Sequence, residues 1–148
     1  MKSIRFEFEG IPPSVNKIYF TRGRSRFLTK EGRRFKNAWV SSYGGADILD
    51  FLALELDEDT PYSLTFIFYI RRERLFNATY GKRKGVKRFK KMDVSNLVKL
   101  TEDAIAELLS LPDQNNFSIA AHKRVADGAE RVIATLTPLD LENESFPE

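Results

Sequence analysis

The chain has 148 residues, a formal net charge of +3, 42% apolar residues, no cysteine and one histidine, His122. Without cysteine there are no disulfides, zinc ribbons or thiol nucleophiles, which fits a reducing interior. One histidine leaves little room for a Ser-His triad or a histidine-rich metal site, so acid–base or metal chemistry falls to carboxylates, lysines and water. The small net charge hides segregation: residues 17–36 carry +7 and residues 71–91 carry +9, leaving −13 for the rest. Two basic blocks interleaved with Phe and Tyr point to a polyanion, nucleic acid before others.

MKSIRFEFEG alternates charged and apolar residues, unlike a signal or transit peptide. No apolar run approaches the roughly 20 residues that cross a bilayer, so the expectation is a cytoplasmic protein with no membrane partner. Ile4, Phe6 and Phe8 share one face of a first strand over 3–9, ended by Pro12 and Pro13. A helix is predicted from Thr29, its cap, to Tyr43, stopped by Gly44-Gly45. The apolar segment Ile48 to Leu56 extends or follows it. Tyr62 to Ile70 is the clearest strand, followed by a basic loop or hairpin over 71–91. A second helix runs from Ser95 to Leu109, closed by Leu111-Pro112, with Leu97, Leu100, Ala104, Ile105 and Leu108 facing the core. Phe117–Val125 and Arg131–Leu136 read as a closing hairpin across Asp127-Gly128. The sum is one α+β domain over 1–138, a mixed β-sheet with two main helices in β-α-β-α-β-β order, and an acidic, flexible tail over 139–148.

On the second helix, Asn96, Lys99 and Asp103 lie opposite the apolar stripe, and Asp93 precedes the first turn, the end of a helix that favours anions. Carboxylates there, with Asp113 downstream, could hold Mg²⁺, while Lys99 offsets charge developing on a phosphodiester. Simpler roles fit the same residues. Asp93 or Ser95 can cap the helix, Lys99 and Asp103 can be a surface i, i+4 pair, and Asp113 can be a turn residue. Asp103 stands about 10 Å along the axis from the start of the ridge and shares an ion with Asp93 only if the chain bends.

Three motifs add to this reading. IPPSVNKIY at 11–19 resembles the N-terminal signature of the RusA family of Holliday junction resolvases. DVSNLVKLTED at 93–103 resembles that family's active-site helix, Asp-x-Asp-Asn-x-x-Lys-x-x-x-Asp, and LPDQNNF resembles its Asp-Asp-x-Gln-Val segment. The resemblance spans roughly residues 3–136. It implies a small homodimeric endonuclease, often carried by phages and prophages, that uses Mg²⁺, with Mn²⁺ as a substitute, to cut four-way DNA junctions in recombination and repair. By this resemblance Asp93 is the first metal-binding aspartate, Asn96 the following asparagine and Lys99 the active-site lysine. Asp103 is the later helical acid, Asp113 the first acid of the paired segment, and Asn16 the signature asparagine. Ser95 and Gln114 stand where the family pattern has further carboxylates, with Glu102 the nearest spare acid.

Arg22, Arg24, Arg26, Arg33 and Arg34 in the first block, and Lys82, Arg83, Lys84, Lys87, Arg88, Lys90 and Lys91 in the second, are the expected DNA contacts. Phe27, Phe76, Tyr80 and Phe89 are candidates for stacking on unpaired bases or for the core. Three other readings share these features: a junction-binding module whose catalysis has weakened, a nuclease for other branched intermediates or RNA, and a basic structural protein with no strand preference.

Overall fold

Tyr62–Ile70 (β4) is the strand around which the sheet is built. Its even-numbered side chains Tyr62, Leu64, Phe66, Phe68 and Ile70 are all buried, at alternate positions as a period-2 strand requires. The computed structural model describes residues 3–13, 19–42 and 56–142. Within them a four-stranded sheet has the order β1-β6-β4-β5, with β1 at Ile4–Glu9, β5 at Asn116–Val125 and β6 at Arg131–Pro138. Strand β6 runs antiparallel to both β1 and β4, whereas β5 runs parallel to β4. One row across the sheet reads Phe6, Ala134, Phe66, Ala121. Small residues alternate with large ones there, so Ala134 leaves space between two rings that are fully buried.

The helices cover one face of this sheet. Helix α1, Lys30–Ser42, begins at Thr29, whose Oγ1 accepts the Gly32 N–H at 3.1 Å, the expected cap. Trp39 stacks on Phe8 with ring centroids 4.6 Å apart and donates its indole N–H to the Glu9 carbonyl at 2.9 Å, pinning α1 to β1. A single turn, α2, follows β4 at Arg72–Leu75. Helix α3, Ser95–Leu109, buries Leu97, Leu100, Thr101, Ala104, Ile105 and Leu109. Leu108, expected in the apolar stripe, is only partly buried, and Leu109 takes that place. Thr101 is tolerated in the core because its hydroxyl donates to the Leu97 carbonyl one turn back, at 3.1 Å.

Helix α3 ends in a Schellman arrangement. Ser110 adopts a left-handed conformation (φ 53°, ψ 41°), its N–H reaches the Glu107 carbonyl, and the Leu111 N–H reaches Ala106 at 3.1 Å. Glycine is the usual residue there, and its absence is why Leu111-Pro112 is the visible stop in the sequence.

The expected hairpin of β5 with β6 does not form: β4 lies between them. Gly128 is not among the glycines with positive φ, so Asp127-Gly128 lacks the left-handed geometry of a two-residue hairpin turn. Instead the Ala126 N–H bonds to the Ile70 carbonyl at 2.8 Å, extending the parallel ladder before the chain crosses to β6. The most apolar strand gains a partner on both edges, which outweighs the local turn signal.

A second correction concerns the first basic block, which contains a two-stranded hairpin that periodicity does not reveal. Strands β2 (Tyr19–Arg22) and β3 (Ser25–Leu28) pair across Gly23-Arg24, with Gly23 at φ +65°. Tyr43, Asn16 and the segment 48–55 lie outside the described residues, as do the last six residues of the tail. Among the described residues no helix is long and apolar enough to cross a membrane.

Two substitutions test this account. Ser110→Gly relieves the left-handed strain and raises stability by about 1 kcal/mol in denaturant unfolding. Ala134→Leu overfills the space between Phe6 and Phe66 and lowers stability by about 1–3 kcal/mol; an unchanged midpoint would show that the row is not tightly packed.

Candidate active site and nucleic-acid interface

The segment Lys91-Met92-Asp93 leaves the basic loop and enters α3. The helix N-cap is Val94, with no side-chain cap hydrogen bond, so neither Asp93 nor Ser95 acts as a cap. Only the Asp93 main-chain carbonyl is engaged there, accepting the Asn96 N–H at 3.0 Å. The Asp93 carboxylate is exposed and has no ion pair or hydrogen bond among the described residues. It opens on a cleft of about 590 Å³ whose wall includes Ile11, Pro12, Pro13, Glu31, Phe35, Arg74, Lys91 and Asn96. The buried Ile11-Pro12 pair and α1 therefore form one side of the cleft, and the start of α3 forms the other.

A second charged group lies further along α3. Lys99 Nζ is 3.1 Å from Asp103 Oδ1, the expected i, i+4 pair. Asn116, which opens β5, donates to Glu102 Oε1 at 3.4 Å, and its own Oδ1 is buried without a partner among the described residues. Asp113 begins the 3-10 turn Asp113–Asn115 that feeds β5, bringing its charge within range of Lys99. Burial pulls the Lys99 ammonium down, but the Asp103 hydrogen bond and charge, then Glu102 and Asp113, outweigh it and leave its pKa above 10.5. Burial, then Asp113 and Glu102, likewise raise the Tyr62 hydroxyl. Lys99 is therefore a permanent cation at neutral pH, suited to offsetting phosphate charge and unsuited to acting as a base.

The candidate residues are thus divided. Asp93 and Asn96 line the cleft, whereas Lys99 pairs with Asp103 further along, with Glu102 and Asp113 only in electrostatic range; positions 93 and 99 differ by about 9 Å of helical rise. Ser95 and Gln114 are exposed. Among the described residues no three or more acidic or histidine side chains converge on one point. Mg²⁺ does not require such a cage, since it commonly takes one or two carboxylates and retains waters.

All the expected basic contacts are exposed; Arg33 and Arg34 lie on α1, and the others project from two built supports. On the hairpin, Phe20 and Phe27 stack 5.5 Å apart while 47% and 45% exposed, beside Arg22, Arg24 and Arg26. The second loop is closed at its neck by a bridge between Phe76 and Phe89, whose rings lie 5.4 Å apart, and by the Asn77 N–H to the Arg88 carbonyl at 2.9 Å. Asn77 Nδ2 adds a bond to the Lys87 carbonyl, and Arg72 lies over the Phe76 ring. Tyr80 and Phe89 stay exposed, so of the four proposed stacking residues only Phe76 is partly buried.

Glu31, Arg74 and Lys123 are site residues that sequence reasoning missed. Glu31 reads as an ordinary acid in a first helical turn, and Arg74 is hidden inside a basic run. Lys123 falls on the apolar face of β5, in register with Phe68, where a charge looks like an exception. It donates to the Met92 carbonyl at 2.6 Å, tying the edge strand to the residue before Asp93.

The raised Lys99 pKa fixes the sign of a pH effect. Its contribution to stability is fully present below the unfolded-state value and is lost as pH rises through the folded value, above 10.5. The stability difference between wild type and Lys99→Met should therefore stay flat from about pH 7 to about pH 9 and shrink only at higher pH. A change within the flat range would place the lysine in a different environment. Neither a family model nor a curated protein matches this sequence.

Proposed function

We propose that the chain is a Mg²⁺-dependent, RusA-like endonuclease that cuts branched DNA, four-way junctions foremost. The observation that carries this reading is the Asp93 carboxylate: without an ion pair or hydrogen bond among the described residues, at the positive end of α3, and opening on a cleft lined also by Arg74 and Lys91. Asp93 would hold Mg²⁺ or Mn²⁺ in a largely hydrated state, and the ion would supply an activated water and charge neutralisation, while Asp113 lies apart with the Lys99 group and helps keep that lysine charged. Lys99, kept protonated by Asp103 and Glu102, offers a fixed positive charge to the transition state. Asn96 orients groups in the cleft, and Ser95 and Gln114 contribute neutral oxygens through water. The hairpin and loop bind phosphates without reading bases, which makes affinity fall with salt, while Phe20, Phe27, Tyr80 and Phe89 offer rings to unpaired bases. A homodimer would present two such sites to the two-fold junction and produce paired nicks.

One observation favours a second reading, a junction-binding module whose cleavage has weakened. The acids do not gather in threes among the described residues, and Ser95 and Gln114 carry no charge.

A labelled four-way junction incubated with saturating protein and Mg²⁺ separates the two. The nuclease reading expects paired nicks, reduced at least about 100-fold by Asp93→Asn and by Lys99→Ala, with binding retained. Tight binding without cleavage in Mg²⁺ or Mn²⁺ selects the binding module. Equal cutting by wild type and Asp93→Asn removes Asp93 from the site. Flap, duplex and RNA substrates run alongside define the strand preference.

A further inference from the structure

Three arginines flank or occupy the one-turn helix α2, and they have different partners. Arg71 reaches the exposed Glu73 at 3.9 Å, and Arg72 covers the Phe76 ring at 4.4 Å. Arg74 alone lines the Asp93 cleft. Its Nη1 is held by Glu130 Oε1, and the Glu130 side chain is 9% exposed, against 40% for Arg74. The other oxygen, Glu130 Oε2, accepts the Arg71 N–H at 3.0 Å, and the Glu130 carbonyl accepts the Gly10 N–H at 2.9 Å. Glu130 thus joins the end of β1, the start of α2 and the start of β6 at one buried point. Gly10 leads directly into Ile11-Pro12-Pro13, which also lines the cleft.

We propose that Arg74 is a phosphate-binding residue of the Asp93 cleft and that Glu130 is its positioning residue. The inference rests on the reading of that cleft as a phosphodiester site. A guanidinium has five N–H donors in a planar fork. Glu130 engages Nη1, and no other side-chain partner of Arg74 is present among the described residues, so donors remain for an anion. Arginine in such a fork binds phosphate oxygens in pairs, which lysine cannot reproduce. Ordering a long, free side chain opposes binding; here the buried carboxylate has already ordered it. The arginines and lysines of the hairpin and loop are exposed on projections and add affinity wherever a backbone passes. Arg74 is fixed relative to Asp93, so it selects where along the backbone a phosphate comes to rest.

The test uses the full chain with Arg74→Ala, Arg74→Lys and Glu130→Gln. Arg74→Lys keeps a cationic partner for Glu130 in case the alanine variant folds poorly, and thermal melts identify any variant that does. Single-turnover cleavage of a four-way junction at saturating protein should fall about 100-fold in both Arg74 variants, while the junction Kd changes less than about threefold. Glu130→Gln should lower the rate about tenfold, also with little change in Kd, because the charge stays but its anchor weakens. In parallel, inorganic phosphate is titrated into ¹⁵N-labelled wild type while the Arg74 Nε–H resonance is followed, assigned by its loss in Arg74→Lys. A saturable shift, weakened in Glu130→Gln, is expected.

Folded Arg74 variants that cut within about twofold of wild type overturn the proposal whatever the phosphate titration shows. Should wild type cut no DNA, the endonuclease reading fails and the titration alone decides Arg74. A saturable shift then supports a phosphate site, and an unmoved resonance overturns it.

Discussion

The parallel pairing of β4 with β5 is the constraint on which the rest of the molecule depends. Parallel neighbours cannot be joined by a tight turn, so the chain between Ile70 and Asn116 must return along one face of the sheet. Helix α3 makes that return and buries its apolar face in doing so. The same crossing carries α2 and the basic loop out beyond one end of the strands, and the Asp113 turn back to the other. Asp93 lies where the loop becomes helix, and Lys123 of β5 fastens that junction through Met92. The candidate chemistry is therefore a product of the connection rather than of the sheet itself.

Electrostatics divide the work along α3. At its start, an acid with no ion pair among the described residues faces a cleft with Arg74, Lys91 and Glu31 in the wall. Further along, one ammonium is surrounded by Asp103, Glu102 and Asp113 and cannot lose its proton near neutrality. Asp93 just precedes the helix and Lys99 lies within it, and the separation along its axis keeps their surroundings distinct.

Much of this was legible in the residues. The alternation of β1 and β4, the stripe of α3 and the Thr29 cap depend on neighbours in sequence, and all of them form. The strand partners of β5 and β6 were not legible, because an Asp-Gly turn signal competes with the advantage of pairing β4 on both edges, and only the folded sheet shows which wins. The hairpin at Tyr19–Leu28 escaped because residues 20–27 are exposed on both faces and leave no alternation. Capping by Asp93 was the reasonable local reading; the helix instead starts at Val94 without a side-chain cap. The cleft was least visible, since Glu31, Arg74 and Asp93 come from three separate segments.

The neck at Phe76 and Phe89 has a consequence for how such a protein can change. Because Asn77 and Arg88 are joined across it, the loop tip is insulated from the cleft and from the sheet. Doubling a flexible loop's length adds only about 0.6 kcal/mol to its closure entropy. The tip can therefore gain or shed lysines and residues over generations with little effect on folding, while the residues around Asp93 remain in place. The charge of the loop tip and the geometry at the cleft are thereby open to separate selection within one fold.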